Sequence, residues 1–92
     1  MDKLTQHAAT RMQQRGIASN VVDALIRFGA RSHDHRHGVI HYFDKEARKR
    51  LKKLMGNATY RELEGQLNAY AVLNGEGDVV TVGHRFKRLP RQ

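Results

Sequence analysis

A valine-rich run near the C-terminus leads directly into a cluster of titratable and cationic side chains. The cluster consists of His84, Arg85, Lys87 and Arg88, with one aromatic residue, Phe86, between them. Side chains alternate along a strand, so His84 is expected on the same face as Val80 and Val82, while Arg85 and Lys87 point outward. Because an imidazole titrates near neutral pH, His84 is the strongest candidate for acid–base chemistry. A hydrogen-bonded structural histidine is the alternative interpretation.

A second group lies near the N-terminus, where His7, Arg11 and Arg15 follow one another at i,i+4 spacing. On a helix this spacing puts an imidazole and two guanidinium groups in one stripe. The planar guanidinium fork matches the oxygens of a phosphate, so the stripe is a candidate phosphate site. The alternative is that the two arginines pair with acids such as Asp23 or Glu62 while their stems cover apolar surface.

A third group is a run of lysines in the segment 45–55. Four lysines fall on one helical face, namely Lys45, Lys49, Lys52 and Lys53, and four apolar residues fall on the opposite face, namely Ala47, Leu51, Leu54 and Met55. The only acid in this segment is Glu46, at the margin of the lysine face. Uncompensated lysines favour phosphate contact, whereas a solvated face that serves only solubility is the alternative.

Histidines are also concentrated in the middle of the chain, at His33, His35, His37 and His41. An extended strand would place the first three imidazoles on one face, in an arrangement that suits a metal ion. A turn near residues 36–38 would separate His37 from the others, and no cysteine or suitably spaced carboxylate completes a site. We therefore predict partly exposed hairpin histidines and no metal ligands. No cofactor is predicted either, because no phosphate-binding glycine loop or dinucleotide fingerprint is present.

The overall composition bounds the kind of protein that carries these groups. The chain has 92 residues, with 17 Lys and Arg against 9 Asp and Glu, a formal net charge of +8 and a pI near 10.5. Such an excess attracts polyanions at a distance, although it also promotes solubility. The length predicts one domain, residues 1–92, with an ordered core over about 5–88. The absence of cysteine fits a cytoplasmic protein, and no segment is apolar enough to cross a membrane.

Periodicity and punctuation predict the elements that must position these groups. We expect helices over 6–15, from Ser19 or Asn20 to Gly29, and over 45–55, with Thr5 and Asp44 as caps. Strands are expected over 31–35, 39–43, 66–73 and 79–84, the last two joined by a hairpin loop rich in Asn and Gly. The segment 57–65 stays ambiguous between a loop and a helical turn. The predicted fold class is α+β, with three helices packed on a four-stranded antiparallel sheet.

The stretch His-Ala-Ala-Thr-Arg-Met-Gln-Gln-Arg-Gly-Ile, at residues 7–17, resembles the H-x-x-x-R-M-x-x-R-G-I opening of a bacterial domain family of unknown function. The closing strand at 80–82 and the basic tail are similar as well. That family resembles the barnase-like and RelE-type small ribonucleases, toxins that place helices against an antiparallel sheet and act on RNA. The resemblance implies such a fold and matches His7, Arg11 and Arg15 to the family's opening residues. Barnase-like enzymes use a glutamate base, which has no counterpart at a matching motif in this sequence, although Glu62 or Glu64 could serve.

These observations combine into a hypothesis of RNA binding, with metal-independent RNA cleavage as its enzymatic version. Such cleavage needs a base, an acid and cations for the phosphorane charge, and the candidate catalytic residues are His7, Arg11, Arg15, His84 and Arg85. The candidate nucleic-acid-binding residues are Lys45, Lys49, Lys52, Lys53, Lys87 and Arg88. A non-catalytic module that binds DNA or an acidic protein, such as an antitoxin, stays open as the alternative.

Overall fold

The computed structural model describes residues 4–33 and 38–85. The helices are α1 (Gln6–Arg15), α2 (Ser19–Phe28) and α3 (Lys45–Glu64), and the strands are β1 (Ala30–His33), β2 (Val39–Tyr42), β3 (Ala69–Leu73) and β4 (Val79–His84). The strands form one antiparallel sheet in the order β1-β2-β3-β4. The predicted α+β class, with three helices and a four-stranded antiparallel sheet, is confirmed.

The two faces of the sheet differ in what covers them. Helix α1 packs along β4 and α2 packs on β2 and β3, whereas α3 packs mainly on α2. The helix-covered face carries the buried sheet residues His41, Ala69, Ala71, Leu73, Val79 and Val82. The opposite face, here called the open face, carries the partly exposed residues Ile40, Tyr42, Tyr70, Val72 and Thr81. The core therefore lies between the sheet and the first two helices, and α3 extends it from the far side of α2.

The ends of the helices follow the sequence signals closely in α1 and less closely in α2. The Thr5 hydroxyl accepts a hydrogen bond from the amide of Ala8, and Gly16 adopts a left-handed conformation with φ 64°. Helix α2 instead has Ala18 at its N-cap position and no side-chain cap. The prediction that Ser19 or Asn20 caps α2 is therefore wrong, because Ser19 is already the first residue of the helix.

None of the described helices combines the length and apolar character needed to cross a bilayer.

The third helix is longer than its predicted range. Gly56 interrupts it with a positive φ of 82°, as a helix terminator would, but the chain resumes a helical path as far as Glu64. The ambiguous segment 57–65 is thus largely helical. Leu54 was expected on the packing face but is 66% exposed, since only Ala47 and Leu51 in this half of the helix are fully buried against the core. The apolar stripe is narrower than the four-residue pattern predicted.

An extra residue in β4 changes the alternation that the sequence predicted. Val72 pairs with Thr81, but Leu73 pairs with Val79, so Val80 has no direct partner across β3. Val79 and Val82 are consequently buried and Val80 is partly exposed. The prediction that Val80 shares the face of Val82 is wrong for this reason. Strand β3 also begins at Ala69, three residues later than predicted, because the preceding residues form a turn.

Candidate functional site

The end of β4 directs two neighbouring side chains to opposite faces of the sheet. His84 lies on the helix side, where its Nε2 is 3.1 Å from the carbonyl oxygen of Arg15 and its Nδ1 is 3.0 Å from Oδ1 of Asn68. The imidazole thereby joins the last turn of α1 to the turn that precedes β3. Both ring nitrogens are engaged, so a catalytic role for His84 would require one of these two contacts to open. The catalytic assignment of His84 stays a prediction.

Arg85 lies on the open face and does not reach outward, contrary to the prediction. Its guanidinium carbon is 4.9 Å from the centroid of the Tyr42 ring, which is cation–π distance. Its Nη2 donates to the carbonyl oxygen of Phe43 at 3.3 Å. The side chain therefore crosses β3 to the end of β2, because the tyrosine ring and the free carbonyl there offer better partners than solvent does.

A second arginine, Arg48 of α3, meets Arg85 at the same carbonyl. The Nε of Arg48 donates to the oxygen of Phe43 at 3.3 Å, and its Nη2 donates to the oxygen of Leu67 at 3.2 Å. Two guanidinium groups thus share one acceptor. Burial, and next the charge of Arg48, lower the pKa of Arg85, while Tyr42 and Asp44 act in the opposite direction. We call Arg48, Arg85 and the Phe43 carbonyl the arginine corner.

The arginine corner has no carboxylate partner within the described residues. The ion pairs found there join Arg27 to Asp23 at 3.2 Å and, more weakly, Lys49 to Glu46 at 4.0 Å. The nearest acid in sequence, Asp44, uses its Oδ1 to cap α3 by accepting from the Ala47 amide at 2.7 Å. The Nε atom of Arg85 is buried and has no hydrogen-bond partner in residues 4–33 and 38–85. Asp44 acts on Arg85 only from beyond ion-pair distance, so the two adjacent cations offer a place where an anion could make direct contact.

The predicted stripe on α1 is present and its side chains are exposed to different degrees. Arg11 is partly exposed and its Nε approaches Nε2 of His7 at 3.5 Å, a long contact, while the Arg15 side chain is exposed. Asp23, suggested above as a partner for these arginines, pairs with Arg27. No ion pair of Arg11 or Arg15 occurs in the part of the chain described here, so the stripe keeps its positive charge.

The four lysines of α3 are all exposed. Besides the weak pair with Glu46, the Lys52 ammonium lies 5.7 Å from the centroid of the Tyr60 ring. Within the described ranges, no hydrogen bond or ion pair connects these lysines to the α1 stripe, and the two helices pack mainly on different elements. The structure therefore presents the lysines and the stripe as separate basic surfaces.

The sequence patterns did not single out Arg48, which shares the Phe43 carbonyl with Arg85. A signal was present, because Arg48 directly follows the buried Ala47 and precedes the buried Leu51 by three positions. That spacing places it on the flank of the packing face, where a long stem lies against apolar surface and its head reaches a nearby carbonyl. The four lysines are more numerous but exposed, whereas Arg48 is partly buried and held by two backbone carbonyls; Arg50, which is exposed, donates to the Phe28 carbonyl at 3.1 Å.

The remaining predicted residues are either displaced from their expected setting or lie outside the described ranges. His41 is only 4% exposed and its Nδ1 is 3.2 Å from the Leu25 carbonyl, so the prediction of a partly exposed hairpin histidine is wrong for His41. His35, His37, Phe86, Lys87 and Arg88 fall outside the described residues. Within the described ranges, no group of three metal-ligating side chains is found.

Comparisons with known proteins add no assignment to this geometry. No protein-family model matches the chain, and neither a curated protein nor a solved structure is significantly similar to it.

Proposed function

We propose that this protein binds RNA through its phosphates. The observation that carries the proposal is the arginine corner, where Arg48 and Arg85 share one carbonyl and have no carboxylate partner in the described residues. An arginine can be held by backbone carbonyls or by an acid, and only the acid neutralises its charge. A pair held together without one gains the most from a bound anion, and a polyanion of repeated phosphates matches the formal charge of +8.

The two exposed basic surfaces support the proposal in a different way. The lysines of α3 and most of the α1 stripe have exposed side chains, which attract a polyanion from a distance and contact phosphates without fixing their position. The arginine corner is held by hydrogen bonds and by the ring of Tyr42, so it is able to fix one phosphate in a defined geometry. The preference for RNA over DNA rests on the resemblance to small ribonucleases.

RNA cleavage is the enzymatic version of the same proposal. His7 is exposed and offers its ring to a substrate, whereas both nitrogens of His84 are engaged by Arg15 and Asn68. If the protein cuts RNA without a metal ion, His7→Ala or His84→Ala abolishes cleavage and leaves binding nearly intact. Loss of binding alone in these variants counts against a catalytic role.

The test is incubation of the purified protein with labelled RNA and DNA, with and without EDTA, scoring retention and cleavage together. RNA retention that falls steeply with salt supports the proposal, with a log–log slope of about 0.7 per phosphate contact for a single strand. RNA retention that does not change with salt concentration overturns the proposal. Stronger retention of DNA, or co-purification of an acidic protein that blocks RNA, would favour the alternative module.

A further inference from the structure

The open face of the sheet carries two tyrosines side by side in the centre of the molecule. Tyr42 of β2 and Tyr70 of β3 are direct partners across the strands, and Gly83 of β4 is the next residue in the same row. Residues directly opposite each other on one face lie within reach of aromatic side chains. Both tyrosines are partly exposed, because the described helices pack on the other face or on each other.

Gly83 determines how the Tyr70 ring lies. A Cβ atom at Gly83 would come within 2.9 Å of the Tyr70 hydroxyl and 3.0 Å of its Cε1 and Cζ atoms. The ring therefore leans across β4 into the space that a side chain would otherwise fill. Any other residue at this position would have to displace the ring, so the glycine is what lets the partly exposed ring lie against β4.

The second tyrosine is covered on one side by the arginine corner. The guanidinium of Arg85 lies 4.9 Å from the Tyr42 ring centroid and is itself a planar stacking surface. The open face thus combines an aromatic ring, a ring paired with a guanidinium, and two positive charges at one end of the row. Aromatic rings for bases beside cations for phosphates are the two elements of single-strand recognition.

We propose that the open face is a base-stacking platform for a single-stranded polynucleotide, with one base on Tyr70, the next against the Tyr42 and Arg85 pair, and the intervening phosphate at the arginine corner. The inference rests on the proposed RNA binding and specifies its mode. A duplex keeps its bases stacked on each other and offers only phosphates. It could therefore contact the arginine corner but could not stack bases on the tyrosines. An apolar protein partner is disfavoured by the two unneutralised charges that border the face.

The proposal is tested by comparing four ligands of equal length, namely a single-stranded RNA, the same RNA in a duplex, the matching single-stranded DNA, and an abasic sugar-phosphate strand. The wild-type protein is expected to bind the single-stranded RNA at least 5-fold more tightly than the abasic strand. Tyr70→Leu should lower affinity for the single strand about 5- to 100-fold and leave the abasic strand unaffected. Tyr70→Phe keeps the ring and should restore most of the loss.

Tyr60→Leu is the matched control, since Tyr60 lies on α3, where its ring contacts Lys52; any effect through that lysine's phosphate contact should be small and equal for the RNA and the abasic strand. The chain has no tryptophan and three tyrosines, so stacking is also expected to quench the intrinsic tyrosine fluorescence, and Tyr70→Leu should remove much of that quench. Circular dichroism of each variant verifies the fold. A Tyr70→Leu variant that folds and binds the single strand like the wild type overturns the platform.

Comparison of the four ligands distinguishes failure of the stacking platform from failure of the proposed RNA binding. Equal binding of RNA and the abasic strand overturns the platform and leaves phosphate binding intact. Absence of binding to every strand overturns both. Equal or tighter binding of the duplex also overturns the platform. Single-stranded DNA that binds as tightly as RNA supports the platform and overturns the preference for RNA.

Discussion

Two adjacent residues at the end of β4, His84 and Arg85, differ in how far the protein supplies partners for their polar groups. His84, on the helix side, has an oxygen partner for each ring nitrogen, from Arg15 and from Asn68. Arg85, on the open face, has a ring and one carbonyl oxygen but no carboxylate within the described residues. Both ring nitrogens of the first side chain lie within hydrogen-bond distance of protein atoms, whereas the positive charge of the second has no acid in ion-pair contact within the described residues.

This difference indicates which groups are free for function. A side chain whose donors and acceptors are used holds elements together, and its removal is expected to affect stability first. Burial and the charge of Arg48 lower the pKa of Arg85, so the charged form of this group is held less favourably than in water. Its retention is understandable if an anion binds there. The following predictions separate these two roles, beginning with the largest effect.

The largest effect is expected for Arg85→Met, which removes the guanidinium and keeps an apolar stem over Tyr42. Affinity for single-stranded RNA should fall about 10- to 100-fold, since a hydrogen bond between charged groups contributes about 1.5–3 kcal/mol. The free energy of unfolding should change by less than about 1 kcal/mol, because relief of the repulsion from Arg48 offsets the lost contacts. Fluorescence anisotropy and urea titration measure the two quantities.

Arg27→Met is the control for this variant. Arg27 is also an arginine, but it is paired with Asp23 on α2. Its removal should change RNA affinity less than about 2-fold. If both variants weaken binding equally, the affinity for RNA depends on net charge alone and the arginine corner has no special role.

His84→Ala is expected to show the reverse pattern. Loss of its two hydrogen bonds leaves the Arg15 carbonyl without that partner and should lower the free energy of unfolding by about 1–2 kcal/mol. RNA affinity should change less than about 2-fold. His33→Ala, at an exposed position in β1, is the comparison and should cost under about 0.5 kcal/mol. An unaltered unfolding transition for His84→Ala would show that its contacts do not hold α1 to the sheet.

A smaller effect should appear in the coupling between the two arginines. In a double-mutant cycle of Arg48→Met and Arg85→Met, the combined loss of RNA affinity should be smaller than the sum of the single losses by about 0.5–1 kcal/mol. The physical reason is that both groups share the Phe43 carbonyl, and a single phosphate would bridge them. Strictly additive losses would mean that the two arginines contact separate ligand groups.

The sequence predicted the fold better than it predicted the site, for a physical reason. Capping and glycine signals are local, so Thr5 and Gly16 delimit α1 as expected and Asp44 begins α3. The bulge at Val80 depends on pairing with a distant strand and could not be read from β4 alone. The convergence of Arg48 and Arg85 is likewise a property of tertiary structure, because the residues lie on different elements and meet only at the Phe43 carbonyl.

The smallest effect is expected for the exposed lysines of α3. Lys49→Gln and Lys53→Gln should each weaken RNA binding only about 2- to 3-fold and reduce the log–log salt slope by about 0.7, as removal of one phosphate contact does. Arg31→Gln removes the same charge from an exposed position on β1 and should leave the slope nearly unchanged. If all three variants reduce the slope equally, the lysines act through the total charge of the protein, and the arginine corner alone positions the phosphate.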